Sequence, residues 1–381
     1  MNLNDYFDPV DLEKPEEFVH TPDMFFGRNI AINTPNNPVE EISNYRIAII
    51  GVPEERNSHN KGTFEAPDRI RSRLYQLYRV SDRIRIIDLG NLRPGNTFND
   101  TFVALRDVIA ELTANQVTAV ILGGSQDMTA ACYMALAQSL NSVNLVTADA
   151  TLDTIDSPSG SYNYLARILA DRKLFKYTNL GHQQYLTDPD SLELLEKSYF
   201  ESVRLGQLKN SIFLVEPILR DCNLFSFDIG SVKQSDAPGR ISASPNGFFA
   251  DEACQIARYA GLGDKISCFG IFEVNPRFDF HDLTSTVAAQ MIWYFVEGFS
   301  GRKNEIPAAD SSNFKVFIIS HDNMEHDITF LKSLKTDRWW MEVPVVKIGR
   351  KIMVACSVED YQQACNHDIP DLWWKSFRKL N

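Results

Sequence analysis

Four acidic side chains stand where strand-like runs end. Asn144 to Ala148, with Val143 before it, has the composition of a buried strand and runs into Asp149 and Asp153. Asn223 to Phe227 runs into Asp228, and Lys265 to Phe272 into Glu273-Val274-Asn275-Pro276. Thr118 to Leu122 runs into Gly123-Gly124-Ser125-Gln126-Asp127. In open α/β sheets, ligands bind outside the carboxyl ends of the strands. If these runs are parallel strands of one sheet, one pocket gathers Asp149, Asp153, Asp228 and Glu273. Carboxylates grouped in this way are candidate ligands for hard cations, which take oxygen donors. The plainer reading of Asp149 or Asp153 is a cap on the following turn. Recurrence of the pattern at several strand ends favours the shared pocket.

The elements that would position these acids alternate along the chain. Strand-like runs at 45–51, 84–89, 118–122 and 143–148 are interleaved with helical ones. Ala66-Pro67-Asp68-Arg69-Ile70-Arg71 opens a helix, with Pro67 in the first turn, where proline is tolerated. Phe102, Leu105, Val108, Ile109 and Leu112 give the stretch from Asn99 to Asn115 a helical apolar stripe. Later strands are expected at 177–180, 223–227, 266–272 and 314–319, the last closing the core, with a long apolar helix from Leu283 to Phe299. This alternation implies one mainly parallel sheet with helices on both faces, a three-layer α-β-α sandwich. Residues 1–44 are expected to form an aromatic-bearing arm laid on the surface, and residues 45–330 the α/β domain. Residues 331–381 form an extension packed on the core, with a β-hairpin turning at Gly349. That tail carries Trp339-Trp340 and Trp373-Trp374, either buried against the core or presented to a partner, since Trp is enriched at interfaces.

Composition narrows the function classes. The chain has 381 residues, with 44% hydrophobic and 23% charged residues, ordinary for a globular protein. A net charge of -12 argues against general nucleic-acid affinity and against anionic membrane surfaces. No run approaches the roughly 20 apolar residues of a membrane span. The six cysteines form no C-x-x-C pair, so neither a zinc ribbon nor a redox motif is indicated. Together with an N-terminus that lacks the order of a signal peptide, they point to the reducing cytoplasm.

The motifs resemble those of the ureohydrolase family of arginase, agmatinase and formimidoylglutamase. Gly123-Gly124-Ser125-Gln126 is similar to that family's Gly-Gly-Asp-His, and Asp149-Ala150-Thr151-Leu152-Asp153 to its Asp-Ala-His-x-Asp. Ser226-Phe227-Asp228-Ile229-Gly230 resembles its Ser-x-Asp-x-Asp, and Glu273-Val274-Asn275-Pro276 its Glu-Val-Asn-Pro segment. Ala237-Pro238-Gly239 with Ser242-Ala243 leans toward the formimidoylglutamase branch. The resemblance spans about residues 45–320 in family order and implies the arginase-like fold.

It also implies a chemistry. The family holds two Mn²⁺ ions on two His and four Asp, and a bridging hydroxide attacks a guanidino or formimino carbon. Carried over, Asp149, Asp153 and Asp228 are retained, and Gln126 is a potential amide-oxygen ligand. Gln126 and Thr151 stand where the family has His, and Gly230 where it has Asp. Glu273 matches the acid that receives the substrate's cationic group, so Glu273 and Asp149 are the catalytic candidates. Gln and Thr replace imidazole poorly toward Mn²⁺. The expectation is therefore no metal or one weakly bound divalent cation, Mn or Mg, rather than a two-manganese cluster. Among the histidines His182, at a strand end, is the candidate for facing the pocket; His281 fits a helix start, and His321 and His326 loops.

Two functions follow. One is a family member with a degenerate metal site that binds a small guanidino or formimino ligand, or a partner, without the parent hydrolysis. The other is a working metal-dependent C–N hydrolase of formimidoylglutamase or arginase type. A homo-oligomer is compatible with either.

Overall fold

A computed structural model describes residues 1–12, 22–81, 83–154, 163–305, 307, 311–320 and 327–381. His321 and His326 lie outside the described residues.

Ten strands form the main sheet: β1 (Phe7–Asp8), β2 (Ala31–Ile32), β3 (Ile47–Val52), β4 (Ile86–Leu92), β5 (Thr118–Gly123), β6 (Val143–Ala148), β7 (Leu174–His182), β8 (Glu201–Arg204), β9 (Leu224–Asp228) and β10 (Cys268–Phe272). Their order is β1-β4-β3-β5-β10-β9-β6-β7-β8, with β2 beside β4. Only β1 runs antiparallel to its neighbour. Parallel strands need crossovers, and the helices α1 (Ala66–Tyr75), α2 (Phe98–Ala114), α3 (Thr129–Ser139), α4 (Tyr164–Leu169), α5 (Pro189–Lys197), α6 (Leu205–Asn210), α7 (Val215–Arg220) and α8 (Ala250–Leu262) supply them; α9 (Leu283–Ser300) follows the last strand of this sheet.

Both faces of the sheet are buried, and side-chain alternation sorts them. Ile47 and Ile49 of β3 join a cluster with Ile70 of α1, Ala257 of α8 and Ile292 of α9. Ala48 and Ile50, the intervening residues, join Leu105 of α2, Cys132 of α3 and Leu165 of α4 on the other face. A two-residue period on a strand covered from both sides produces this division. The fold is the three-layer α-β-α sandwich that the alternation implies.

Two segments depart from the expected layout. The arm does not simply lie on the surface: β1 and β2 pair with β4, extending the sheet at that edge. Strands of two residues are too short to leave a pattern in a sequence. The run Phe314–Ile319 is not the last core strand. It is β11 of a second, antiparallel sheet with β12 (Ile328–Ser333), β13 (Trp339–Val345) and β14 (Arg350–Cys356), in that order. Helices α10 (Val358–Cys365) and α11 (Asp371–Leu380) follow that sheet, with Ala364, Trp373 and Phe377 packed into the cluster that Trp339 and Met341 form on one of its faces. Trp373 is buried there and donates to the Glu342 carbonyl at 2.9 Å. On the other face Trp340 packs on Phe314 and carries the Arg220 guanidinium 4.4 Å above its ring. Of the four tail tryptophans, Trp374 alone is exposed.

Candidate active site

The order β5-β10-β9-β6 places four strand ends side by side. Phe272 is level with Asp228, and Ala148 with Phe227, so the residues that follow emerge on one edge. Gln126, Asp149, Asp228 and Glu273 are each at most 4% exposed there, and Asp153 is 8% exposed. Gln126, Thr151, Asp153, Asp228 and Glu273 line one cavity of about 210 Å³, with Ser58, His59, Asn60, Gly230, Arg240, Ser242 and Ser244 completing its walls.

Each acid is held by local donors. Asp149 accepts from the Thr151 amide at 2.9 Å and from its hydroxyl at 3.1 Å. The same hydroxyl lies 3.3 Å from Asp153, so Thr151 bridges the two carboxylates with one proton to give. Asp228 caps the turn after β9 by accepting from the Gly230 amide at 2.6 Å. Asp228 both caps its turn and lines the cavity, Asp149 caps its turn behind the cavity wall, and Asp153 lines the cavity without capping a turn. Glu273 has a left-handed backbone, φ 65°, uncommon for a side-chain-bearing residue. It is fixed by its amide bonding Gly124, by Asn60 bonding its carbonyl, and by the Gln126 amide donating to its carboxylate at 3.0 Å. Such strain concentrates at functional sites.

The cation among these acids is Arg240. Its guanidinium lies 3.1 Å from the Asp228 carboxylate. A Cβ built on Gly230 would fall 1.4 Å from Arg240 Nη1, so the guanidinium occupies the space a side chain at 230 would need. Burial by itself would lower the arginine's pKa, but Asp228, Glu273, Asp149 and Asp153 outweigh it and hold the group charged. One base against four acids leaves the cluster short of positive charge. Burial, followed by repulsion from Asp228, pushes Asp149 and Glu273 each up to about 7. Burial and the charges of Asp149 and Asp228 raise Asp153, and burial raises Asp228 against the pull of Arg240. The buried Gln126 side-chain amide nitrogen has no hydrogen-bond partner among the described residues.

Sequence reading missed Arg240, Ser58, His59 and Asn60. Arg240 directly follows Ala237-Pro238-Gly239, and a basic residue one loop beyond a strand-end Asp was the available signal. His59 sits in the polar loop between β3 and α1, where no strand end or helical spacing marks it. His182 does not face this cavity; it lines a neighbouring one, because β7 lies beyond β6 in the sheet.

The model of the arginase family matches residues 45–297. A formimidoylglutamase from Staphylococcus haemolyticus is 26% identical over 257 residues, covering 64% of this chain and 81% of that one. One from Streptococcus pyogenes is 24% identical over 285 residues, covering 66% and 84%. Among solved structures, Trypanosoma cruzi formiminoglutamase with two Mn²⁺ superposes with a TM-score of 0.64 at 20% identity, covering 69% of this chain and 96% of that one. Arginase from Bacillus subtilis gives 0.59 at 19% identity, covering 68% and 100%.

These relatives correct the expectation of no metal or one weakly bound divalent cation. The solved formiminoglutamase carries a manganese pair, which is the group this fold holds in that relative. The expectation rested on counting imidazoles at motif positions, and such a count says nothing of how a fold relative is loaded. The arrangement described here does not itself fit the pair. Positions 126, 151 and 230 offer an amide, a hydroxyl and no side chain, and a guanidinium stands beside Asp228. Among the described residues, no three His, Cys, Asp or Glu side chains are grouped to hold a metal ion.

Proposed function

This chain belongs to the arginase family, and we propose that its strand-end cavity binds a small cationic ligand, a guanidino or formimino compound, without carrying out the parent hydrolysis. The family relationship supports a hydrolase ancestry for the site. The observation that carries the proposal is Arg240, whose guanidinium stands against Asp228 and fills the space beside Gly230. A fixed internal cation there takes up the room and the charge that a metal-assembled nucleophile needs. The remaining acids still lack full neutralisation, and a second planar cation would supply it through charge-assisted hydrogen bonds to Glu273 and Asp153. The unpaired Gln126 amide and the Ser58 and Thr151 hydroxyls offer further polar contacts.

The names of the relatives favour a second reading, metal-dependent hydrolysis of a formimino or guanidino C–N bond. In it Asp149, Asp153, Asp228 and Gln126 would be the metal-facing residues, and Glu273 the acid that receives the substrate's cationic group. No helix among the described residues is long and apolar enough to cross a membrane. All six cysteines are unpaired, which supports the reducing cytoplasm as the setting.

Ligand binding should follow pH with a definite sign. Asp149 and Glu273 hold protons below about 7, and a cation must displace them. Calorimetric titration of formimidoylglutamate or arginine into metal-free protein is expected to show tighter binding at pH 8 than at pH 6, by up to about tenfold per proton released. Glu273→Gln should remove one of the two proton-release steps and so shrink the difference between pH 6 and pH 8, leaving the part that Asp149 contributes. Binding that is equal at both pH values, or weaker at pH 8, contradicts a cation-binding cavity.

A further inference from the structure

A second cavity, of about 400 Å³, opens beside the first between the ends of β7 and β8, the start of α6 and the loop before α8. Its walls carry the opposite charge. Arg204, Lys209 and Lys233 line it together with His182, Gln183 and Phe249. Convergence of three basic side chains on one concavity runs against a chain whose net charge is -12.

Two of the three cations are held in place. The Lys209 and Lys233 ammonium groups lie 3.9 and 3.6 Å from the centre of the Phe249 ring, an arrangement stabilised by the ring's negative face. Each lysine has one carboxylate near it: Glu252 at 3.3 Å from Lys209, and Asp236 at 3.5 Å from Lys233. Among the described residues, Arg204 makes no ion pair, so the cavity keeps an uncompensated positive charge. His182 is 4% exposed, and its Nδ1 is engaged by the Ser202 hydroxyl at 2.7 Å. Burial and the charge of Arg204 lower the pKa of that imidazole, which leaves it a neutral hydrogen-bonding group.

Residues adjacent in the chain line the two cavities. Tyr185 lines this one and Leu186 the other; Pro245 lines this one and Ser244 the other. The Gln183 amide bonds the carbonyl of Ala150, which faces the carboxylate cavity. We propose that this second cavity is an anion-binding site for a carboxylate or phosphate group, with Arg204 and Lys233 as its principal cations and Lys209 completing it. The site stands on its own residues and does not require the acidic cavity to be filled.

Titrations of inorganic phosphate and of glutarate into the full-length protein at constant ionic strength test the proposal. Saturable binding of one anion per chain is expected, weakened about tenfold by Arg204→Gln or by Lys233→Gln through loss of a charge-assisted bond. Arg204→Lys should retain most of it. The Arg204 side chain is exposed, so its replacement leaves the fold intact. Glu273→Gln should leave anion binding unchanged, which separates this site from the cation-binding cavity. Preference for phosphate or for glutarate identifies the group the site takes. Absence of saturable binding by both anions overturns the proposal, as does unchanged affinity in both the Arg204→Gln and Lys233→Gln variants.

Discussion

Replacing Arg240 with alanine is expected to destabilise metal-free protein by about 3–5 kcal/mol at pH 8, and by far less at pH 5. The guanidinium is the cation that faces Asp228, and the four acids around it are all buried. Without it, ionised carboxyl groups stay in the interior uncompensated, the costly way to break a buried pair. The sign follows from proton binding. Folded-state pKa values of Asp149 and Glu273 lie above their unfolded values, so the folded state binds more protons. Their contribution to stability is complete below about pH 4 and is lost as pH rises through about 7. Wild-type protein should therefore also lose stability between pH 5 and 8, and the variant should lose more. Urea unfolding of both proteins at the two pH values measures the difference. An equal loss at both, or none at either, would show that Arg240 is not the counter-charge of the cluster.

The second large effect concerns manganese. Gln126→His, Thr151→His and Gly230→Asp together restore the imidazoles and the carboxylate of the family pattern. With Arg240 retained, the new side chain at 230 meets the guanidinium, whose Nη1 lies 1.4 Å from the position of its Cβ. A cation already seated against Asp228 then competes with the metal. Adding Arg240→Ala is expected to raise Mn²⁺ affinity by about a hundredfold over the three-site variant, comparable to large effects from residues that support metal ligands. Equilibrium dialysis with Mn²⁺ reads this directly. Equal affinity of the three-site and four-site variants would mean that the guanidinium swings aside at little cost.

Much of the site was legible because it follows from strand ends. Asp149, Asp228 and Glu273 each terminate an apolar run, and parallel pairing of β6, β9 and β10 carries all three to one edge. Arg240 was not legible, because a loop residue's reach depends on how the chain folds back after Pro238 and Gly239. Its amide bonds the Pro238 carbonyl, and Gly239 is tied to Thr284 and Asn275, contacts made across distant parts of the chain. The assignment of Phe314–Ile319 to the core failed for a related reason: an apolar run declares a strand but not its sheet. Only pairing with Ile328–Ser333 places it in the C-terminal sheet. Trp339 and Trp340 read alike in sequence, yet strand alternation sends one toward Tyr361 and the other toward Arg220.

The most direct test is product release. Wild-type protein is purified, incubated with excess Mn²⁺ and given formimidoylglutamate, arginine or agmatine. Formamide, ammonia and urea are followed beside an active formimidoylglutamase. Arg240 seated among the carboxylates leads to no release above the protein-free rate with any of the three. Sustained, Mn²⁺-dependent turnover of one of them, lost in Asp149→Asn, would contradict it and establish this chain as a working C–N hydrolase.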